Sequence, residues 1–241
     1  MSAKKYLPYL IAILTFAVVS LAYFYPVLEG KALFQSDIAQ FRGMSSEVKE
    51  FREQYGEEPY WTNRAFGGMP AYQLSAYYPN DYIKKLDGLL RFLPRPADYL
   101  FLYFLSFFVL LSILKVDWRL AVVGALGFGL STYLIIILGV GHNAKAHAIA
   151  YMPLVLAGIL LVFKGRLLPG FVLTAFAMAL EINASHPQMT YYLLFCVLIF
   201  GIVYLIDAYR EKQLPEFVKK VLILLAAVII SVGVNATSLM A

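Results

Sequence analysis

The chain has 241 residues, 61% of them hydrophobic, and its mean hydropathy is +0.71. Soluble domains are only about half apolar, so the composition excludes an ordinary soluble domain and indicates a membrane protein. The formal net charge is +5, and its placement along the chain is more informative than its size. Cys196 is the single cysteine, which excludes an intrachain disulfide.

The N-terminal segment has Lys4 and Lys5 followed by a long apolar run, residues 6–28. This order is typical of a signal peptide, but the run is too long and no small-residue cleavage site closes it. We therefore expect residues 6–28 to form an uncleaved first transmembrane helix.

Apolar runs recur along the rest of the chain, and roughly 20 apolar residues span a bilayer. They predict an all-α polytopic membrane protein with a first helix in 1–28, a long loop in 29–97 and a bundle of about six helices in 98–241. Because the chain ends in an apolar run, we expect it to be the N-terminal part of a longer protein. The expected spans are 6–28, 98–114, 119–138, 147–163, 167–183, 189–208 and 217–237.

Basic residues are unevenly distributed between the connectors. With the N-terminus in the cytoplasm, the inner segments contain ten basic residues and the two short outer connectors contain only Lys145. The nine basic residues of the 29–97 loop are balanced by nine acidic ones, so this loop does not oppose the bias. This bias predicts a cytoplasmic N-terminus and an extracytoplasmic first loop. The inner basic residues are Lys4, Lys5, Lys115, Arg119, Lys164, Arg166, Arg210, Lys212, Lys219 and Lys220.

The first loop contains its own helical signals. Apolar residues at three- and four-residue steps predict an amphipathic helix of about 37–55, lying along the membrane surface or against the bundle. A second short helix is expected near 80–92. Between them, Trp61 and the glycine- and proline-rich turn 66–70 are expected to form a substrate-facing lip or to enter the headgroup layer. The apolar residues of the predicted helix over 37–55 are Ile38, Phe41, Met44, Val48, Phe51 and Tyr55.

Polar side chains gather at the predicted outer ends of the helices. Ionisable groups at membrane depth cost about 2.5–3.5 kcal/mol on insertion scales, so they tend to be functional. The asymmetry therefore predicts an outward-facing site. Its candidates are Asp37, His142, Asn143, Lys145, His147, Glu181, Asn183, His186 and Gln188.

Asp37 has two compatible interpretations. Ser36 or Asp37 can cap a helix, and Asp37 with Gln40 fits a capping box. Alternatively, Asp37 is ionised at neutral pH and can act as a general base towards an acceptor hydroxyl.

The stretch 141–147, GHNAKAH, places His142 and Lys145 on one helix face. A cation and imidazoles at the mouth of a bundle suit a phosphate or pyrophosphate. The alternative is a hydrated interfacial loop in which Lys145 extends to the headgroups. A metal site formed by the histidines and an acid is a third alternative, although the spacing matches no ligand motif.

Several stretches together resemble bacterial YfhO-type membrane proteins, over essentially the whole chain. They are the Ser36-Asp37 helix start, the turn WTNRAFGGMP, the stretch GHNAKAHAIAYMPLVLAGI and the stretch NASHPQMTYY. A first helix followed by a long outer loop with an acid near its start also resembles the GT-C class of membrane glycosyltransferases.

This resemblance implies transfer of a sugar from a polyprenyl-phosphate donor to an envelope glycan or lipid acceptor, outside the bacterial cytoplasmic membrane. Membrane lipids would be further partners, and nucleic acid would not. Asp37 would be the catalytic carboxylate. Many relatives have two adjacent acids or a divalent metal there, but Ser36 precedes Asp37 here, so no cofactor is assigned and a divalent metal is left open. The expected substrate-binding residues are His142, Asn143, Lys145, His147, Glu181, His186 and Trp61.

Two other functions are compatible with the same residues. A transporter or flippase for a lipid-linked or phosphate-bearing substrate would use the same polar face for binding. A structural scaffold for an envelope assembly would not need such a concentration of histidine, lysine and acid on one face.

Overall fold

The computed structural model describes residues 6–75 and 78–240. Apart from one hairpin of two-residue strands, its regular structure is helical. The first helix is α1, Leu7–Tyr23, and a short 3-10 helix follows it at Tyr25–Glu29. The loop contains α2 (Ser36–Met44), α3 (Ser46–Tyr55), strands β1 (Trp61–Thr62) and β2 (Met69–Pro70), α4 (Tyr72–Ser75) and α5 (Tyr82–Leu90).

The bundle consists of the remaining helices. They are α6 (Ala97–Ile113), α7 (Trp118–Gly129), α8 (Thr132–Val140), α9 (Asn143–Phe163), α10 (Leu167–Asn183), α11 (Pro187–Arg210), α12 (Leu214–Val234) and α13 (Ala236–Met240). Each predicted apolar run therefore coincides with one helix or with a pair of helices.

Three helices of the described residues, α9, α11 and α12, are long and apolar enough to cross a membrane, and a fourth span results if α7 and α8 are counted together. Three further apolar helices, α1, α6 and α10, have 17 residues each. The mostly helical fold is therefore confirmed, and the candidate spans are consistent with a membrane protein. The arrangement of seven spans stays a prediction.

The prediction of one continuous helix over 119–138 is wrong. The chain bends by 48° between α7 and α8, and Ser131 is extended, with φ −60° and ψ 141°. At the end of α7, Gly129 lies against Phe104, and a Cβ there would be 2.5 Å from the Phe104 ring. The close approach favours glycine, which is a poor helix former, and the helix ends at that point.

The predicted amphipathic helix over 37–55 is also interrupted. It is divided into α2 and α3 at Ser45, whose hydroxyl donates to the Phe41 carbonyl over 2.7 Å. The Ser46 hydroxyl donates to the Gly43 carbonyl over 2.8 Å. Side-chain bonds of this kind compete with the backbone ladder, and Gly43 weakens the helix further.

The core lies where α1, α6, α7 and α9 meet, with Phe16, Phe104, Tyr103 and Tyr151 fully buried in it. The α9 and α10 helices approach closely through glycine, because a Cβ at Gly158 would lie 2.6 Å from the backbone nitrogen of the facing helix. Small residues at helix interfaces are a general way of packing membrane helices.

The loop hairpin is held against α3 by one carboxylate. Glu47 accepts from the Thr62 hydroxyl over 2.6 Å and from the amides of Asn63 and Arg64 over 2.7 and 3.1 Å. The hydrogen bond from Thr62 and that from the Asn63 amide lower the pKa of Glu47. Arg64 then pairs with Glu50 over 2.8 Å. The loop thus has a folded structure of its own.

Candidate functional site

The start of α2 contacts the turn between α8 and α9. The Gln35 amide donates to the Leu138 carbonyl over 2.6 Å, and the Ser36 hydroxyl donates to the Val140 carbonyl over 3.4 Å. Gly141 has φ +92°, and a Cβ there would lie 2.8 Å from Gln35. Glycine is therefore required at 141 both for its backbone conformation and for the close contact.

Asp37 lies in the first turn of α2, and its Oδ2 is 2.5 Å from Nδ1 of His142. The Asp37 side chain is 39% exposed and the His142 side chain 48% exposed. The residue preceding the helix is Gln35, and no side chain makes a capping bond there. The capping box predicted for Asp37 is therefore absent, and the favourable position of an acid in the first helical turn remains.

His142 is followed on α9 by Asn143 and Lys145, which are both half-buried. The ammonium group of Lys145 lies 5.9 Å from the centre of the Tyr133 ring. Oδ1 of Asn143 is buried and has no hydrogen-bond partner within the described residues. The structure thus places Lys145 and Asn143 in the helical turn that begins at His142.

His186 precedes α11 and belongs to the same neighbourhood. Burial lowers its pKa, and the charges of Lys145 and His142 lower it further. Its Nδ1 is buried and has no partner in the part of the chain that the structure describes. The charged form of the His186 imidazole is therefore disfavoured, partly by the charges of Lys145 and His142.

His147 lies elsewhere, in a buried cluster around Asp87 that we call the Asp87 hub. Oδ1 of Asp87 is 2.5 Å from Nε2 of His147 and accepts from the Tyr151 hydroxyl over 2.7 Å. Oδ2 accepts from Nε and Nη2 of Arg91 over 2.8 and 2.6 Å. Arg91 also donates to Asp98 over 3.1 Å. The hub joins α5 of the loop to α6 and α9.

Asp87 is 1% exposed. Burial alone would raise its pKa, but the hydrogen bond and charge of His147, with the bonds from Arg91 and Tyr151, lower that pKa well below its usual range. Both oxygens already accept two hydrogen bonds each, so Asp87 is an occupied anion with no capacity to take a proton from a substrate.

Sequence reasoning missed the hub apart from His147. The spacing of Asp87 and Arg91, one turn apart in a predicted helix, was the available signal for an ion pair. Tyr151 gave none, because its partner Asp87 lies 64 residues earlier in the chain.

Glu181 and Trp61 each form hydrogen bonds with residues other than Asp37. Glu181 is fully buried in α10, where the Thr190 hydroxyl lies 2.9 and 3.1 Å from its two oxygens. Trp61 is 55% exposed on β1 and donates to Asn63 over 3.2 Å. Gly68 packs against its indole, where a Cβ would be 2.8 Å away. A lip and a headgroup contact are both compatible with this exposure.

Asn183 forms a second tether between loop and bundle. Its amide donates to Asp81, the residue that caps α5, over 3.0 Å and to Asn235 at the end of α12 over 3.2 Å. The predicted polar residue Asn183 is thus a structural contact of the loop.

A divalent metal finds no ligand set in residues 6–75 and 78–240, where no group of three or more His, Cys, Asp or Glu side chains could hold one. Asp37 and His142 would supply two ligands, fewer than the three protein ligands common at catalytic zinc sites. These residues do not fit a resident metal, and we derive no step through one.

Comparison with known proteins gives no match: no family model, no curated protein and no solved structure matches this chain. The resemblance to YfhO-type proteins and to the GT-C class therefore stays a prediction.

Proposed function

We propose that this chain is a membrane glycosyltransferase of the bacterial cytoplasmic membrane, with seven spans, a cytoplasmic N-terminus and its site on the outer face. It would transfer a sugar from a polyprenyl-phosphate donor to an envelope glycan or lipid. The observation that carries the proposal is the contact of Asp37 with His142, which forms a half-exposed carboxylate–imidazole pair from two distant segments.

The carboxylate would act as general base. His142, with its proton on Nδ1, donates to one oxygen of Asp37 and leaves the other free to accept. The acceptor hydroxyl loses its proton to Asp37 as its oxygen bonds to the anomeric carbon of the sugar. The bond from that carbon to the phosphate oxygen breaks, and polyprenyl phosphate leaves with the electron pair.

Lys145 would stabilise the charge that develops on the departing phosphate. Its ammonium group lies in the turn that follows His142, and no ion pair within the described residues occupies it. A fixed cation aimed at developing negative charge is a general source of rate enhancement. The neutral His186 nearby would supply a hydrogen bond to the same phosphate.

The test is transfer of radiolabelled sugar from polyprenyl-phosphate donors in membranes that contain the full-length protein. Asp37→Asn should abolish transfer. Asp117→Asn is the matched control, because Asp117 only caps α7 through the Arg119 amide and asparagine caps equally well. Full activity of Asp37→Asn would show that Asp37 is not the general base. Absence of transfer by the wild-type protein from every donor tested would refute the proposed glycosyltransferase activity.

A transporter for a phosphate-bearing lipid is the second candidate, and the bend between α7 and α8 favours it. Transporters often bind substrate where a membrane helix is discontinuous. Substrate-dependent flux into proteoliposomes without any covalent product would support this function over the first.

A further inference from the structure

The α5 helix leaves three large apolar residues exposed and buries its aspartate. Tyr82, Leu86 and Leu89 recur at four- and three-residue steps and are 67%, 41% and 73% exposed. Phe92, just beyond the helix, extends the stripe and is 64% exposed. Asp87 is buried on another side of the helix. A helix that packs one face on a protein and faces water with the rest would turn such an apolar stripe inward.

The orientation of α5 is set by specific contacts. The Asp87 hub connects it to α9, and Asp81 at its start accepts from Asn183 of α10. Ile83 and Leu90 pack against the core cluster. Turning the stripe inward would break these contacts, so the apolar residues face outward in the folded protein.

The stripe meets the bundle at Phe92. The ring of Phe92 meets that of Phe101 edge to face, with centroids 5.3 Å apart, and Phe101 belongs to the core side of the apolar helix α6. The end of the stripe is therefore fixed against a helix whose composition suits a membrane.

Two lysines lie on the exposed side of α5, Lys85 beside the stripe and Lys84 further round the helix. Lys84 and Lys85 are exposed and form no ion pair among residues 6–75 and 78–240. The ammonium group of Lys85 lies 4.9 Å from the centre of the Tyr82 ring. Aromatic rings with adjacent lysines are typical of the headgroup layer, where the cations meet lipid phosphates.

We propose that α5 is an interfacial membrane helix that binds phospholipid at the boundary of headgroups and acyl chains. Tyr82, Leu86, Leu89 and Phe92 contact acyl chains, and Lys84 and Lys85 bind the phosphates. The loop is then attached to the bilayer on one side of α5 and to the bundle, through the Asp87 hub, on the other. The inference does not depend on sugar transfer, because it concerns only how deeply α5 lies in the bilayer.

The experiment measures that depth in the full chain, reconstituted in nanodiscs of phosphatidylcholine and phosphatidylglycerol. Leu89→Cys, in a Cys196→Ser background, is labelled with an environment-sensitive fluorophore. Glu57→Cys, an exposed loop position, is the matched control. We expect emission from position 89 to be blue-shifted, quenched several-fold more by brominated lipids than at position 57, and protected from iodide.

Iodide quenching at position 89 equal to that at position 57, with no response to brominated lipids, would overturn the proposal. Leu89 is mostly exposed, so its replacement removes no core contact. The phosphate contact is tested by Lys84→Glu combined with Lys85→Glu, which should weaken lipid quenching at 89 most in discs rich in phosphatidylglycerol. An unchanged response would remove the lysines from the binding site.

Discussion

Two aspartate–histidine contacts of 2.5 Å join the loop to the start of α9. They differ in their burial and in the number of other hydrogen bonds that the aspartate accepts. In the Asp37–His142 pair the side chains are 39% and 48% exposed, whereas in the Asp87–His147 pair they are 2% and 10% exposed. Asp87 also accepts from Arg91 and Tyr151. The same two residue types therefore form a half-exposed pair in one place and a closed structural hub in the other.

The energetic consequences differ in the same direction. An exposed ion pair contributes about 0–1 kcal/mol, because water and salt screen it. Removing one partner of a buried pair costs about 3–5 kcal/mol, because a charge is left buried and unpaired. The comparison therefore predicts that changes at Asp37 affect chemistry and changes at Asp87 affect folding.

The largest expected effect is the fall in the rate of sugar transfer caused by Asp37→Asn. Loss of a general base typically lowers the rate by about 10²–10⁴-fold, while the thermal unfolding midpoint in detergent should stay close to that of the wild type. Rate and midpoint are measured on the same preparation. A fall of the midpoint as large as that of a hub variant would contradict the contrast between the two pairs.

Asp87→Asn should lower the free energy of unfolding by about 3–5 kcal/mol, because Arg91 and His147 lose a buried anion. Denaturant titration of the purified protein, followed by helical circular dichroism, measures it. Asp81→Asn, in the same helix, is a milder control because asparagine retains the cap. Equal stability of Asp87→Asn and wild type would show that the hub is dispensable.

Acid pH should weaken the hub specifically. The pKa of Asp87 is lower in the folded than in the unfolded chain, where it is about 3.9. Its stabilisation is therefore complete above about pH 4 and is lost as pH falls further, towards the folded pKa. The unfolding midpoint of the wild type should fall more steeply below about pH 4 than that of Asp87→Asn; parallel slopes would argue against an ionised Asp87.

Tyr151→Phe removes one hydrogen bond of the hub and keeps the ring. The expected loss is about 1–3 kcal/mol, because Asp87 is buried yet keeps its contacts with Arg91 and His147. The same titration measures it, and a loss as large as that of Asp87→Asn would mean that the phenol, and not the ion pair, holds the hub together.

The smallest effect on stability is expected for His142→Gln. The pair is half-exposed, so the free energy of unfolding should change by less than about 1 kcal/mol, while transfer falls because Asp37 loses its orienting partner. A stability loss comparable to that of Tyr151→Phe would erase the distinction between the two aspartate–histidine pairs.

Local patterns predicted the helices well. The expected spans 98–114 and 167–183 correspond to Ala97–Ile113 and Leu167–Asn183, and the short helix 80–92 corresponds to Tyr82–Leu90. A run of apolar residues carries its own helical signal, so it can be read without knowing its neighbours. The breaks at Ser45 and before Ser131 were missed, because they depend on side-chain bonds and on a close approach to Phe104.

The sequence by itself determined the membrane-type composition, most helix positions and which polar residues were candidates for a site. Only the tertiary structure decided which histidine meets which aspartate, because His147 lies 60 residues after Asp87 and nothing local couples them. It also decided that His142 stays half-exposed while His147 is buried. Burial and the number of competing donors are properties of packing, and they separate the open carboxylate of Asp37 from the occupied one of Asp87.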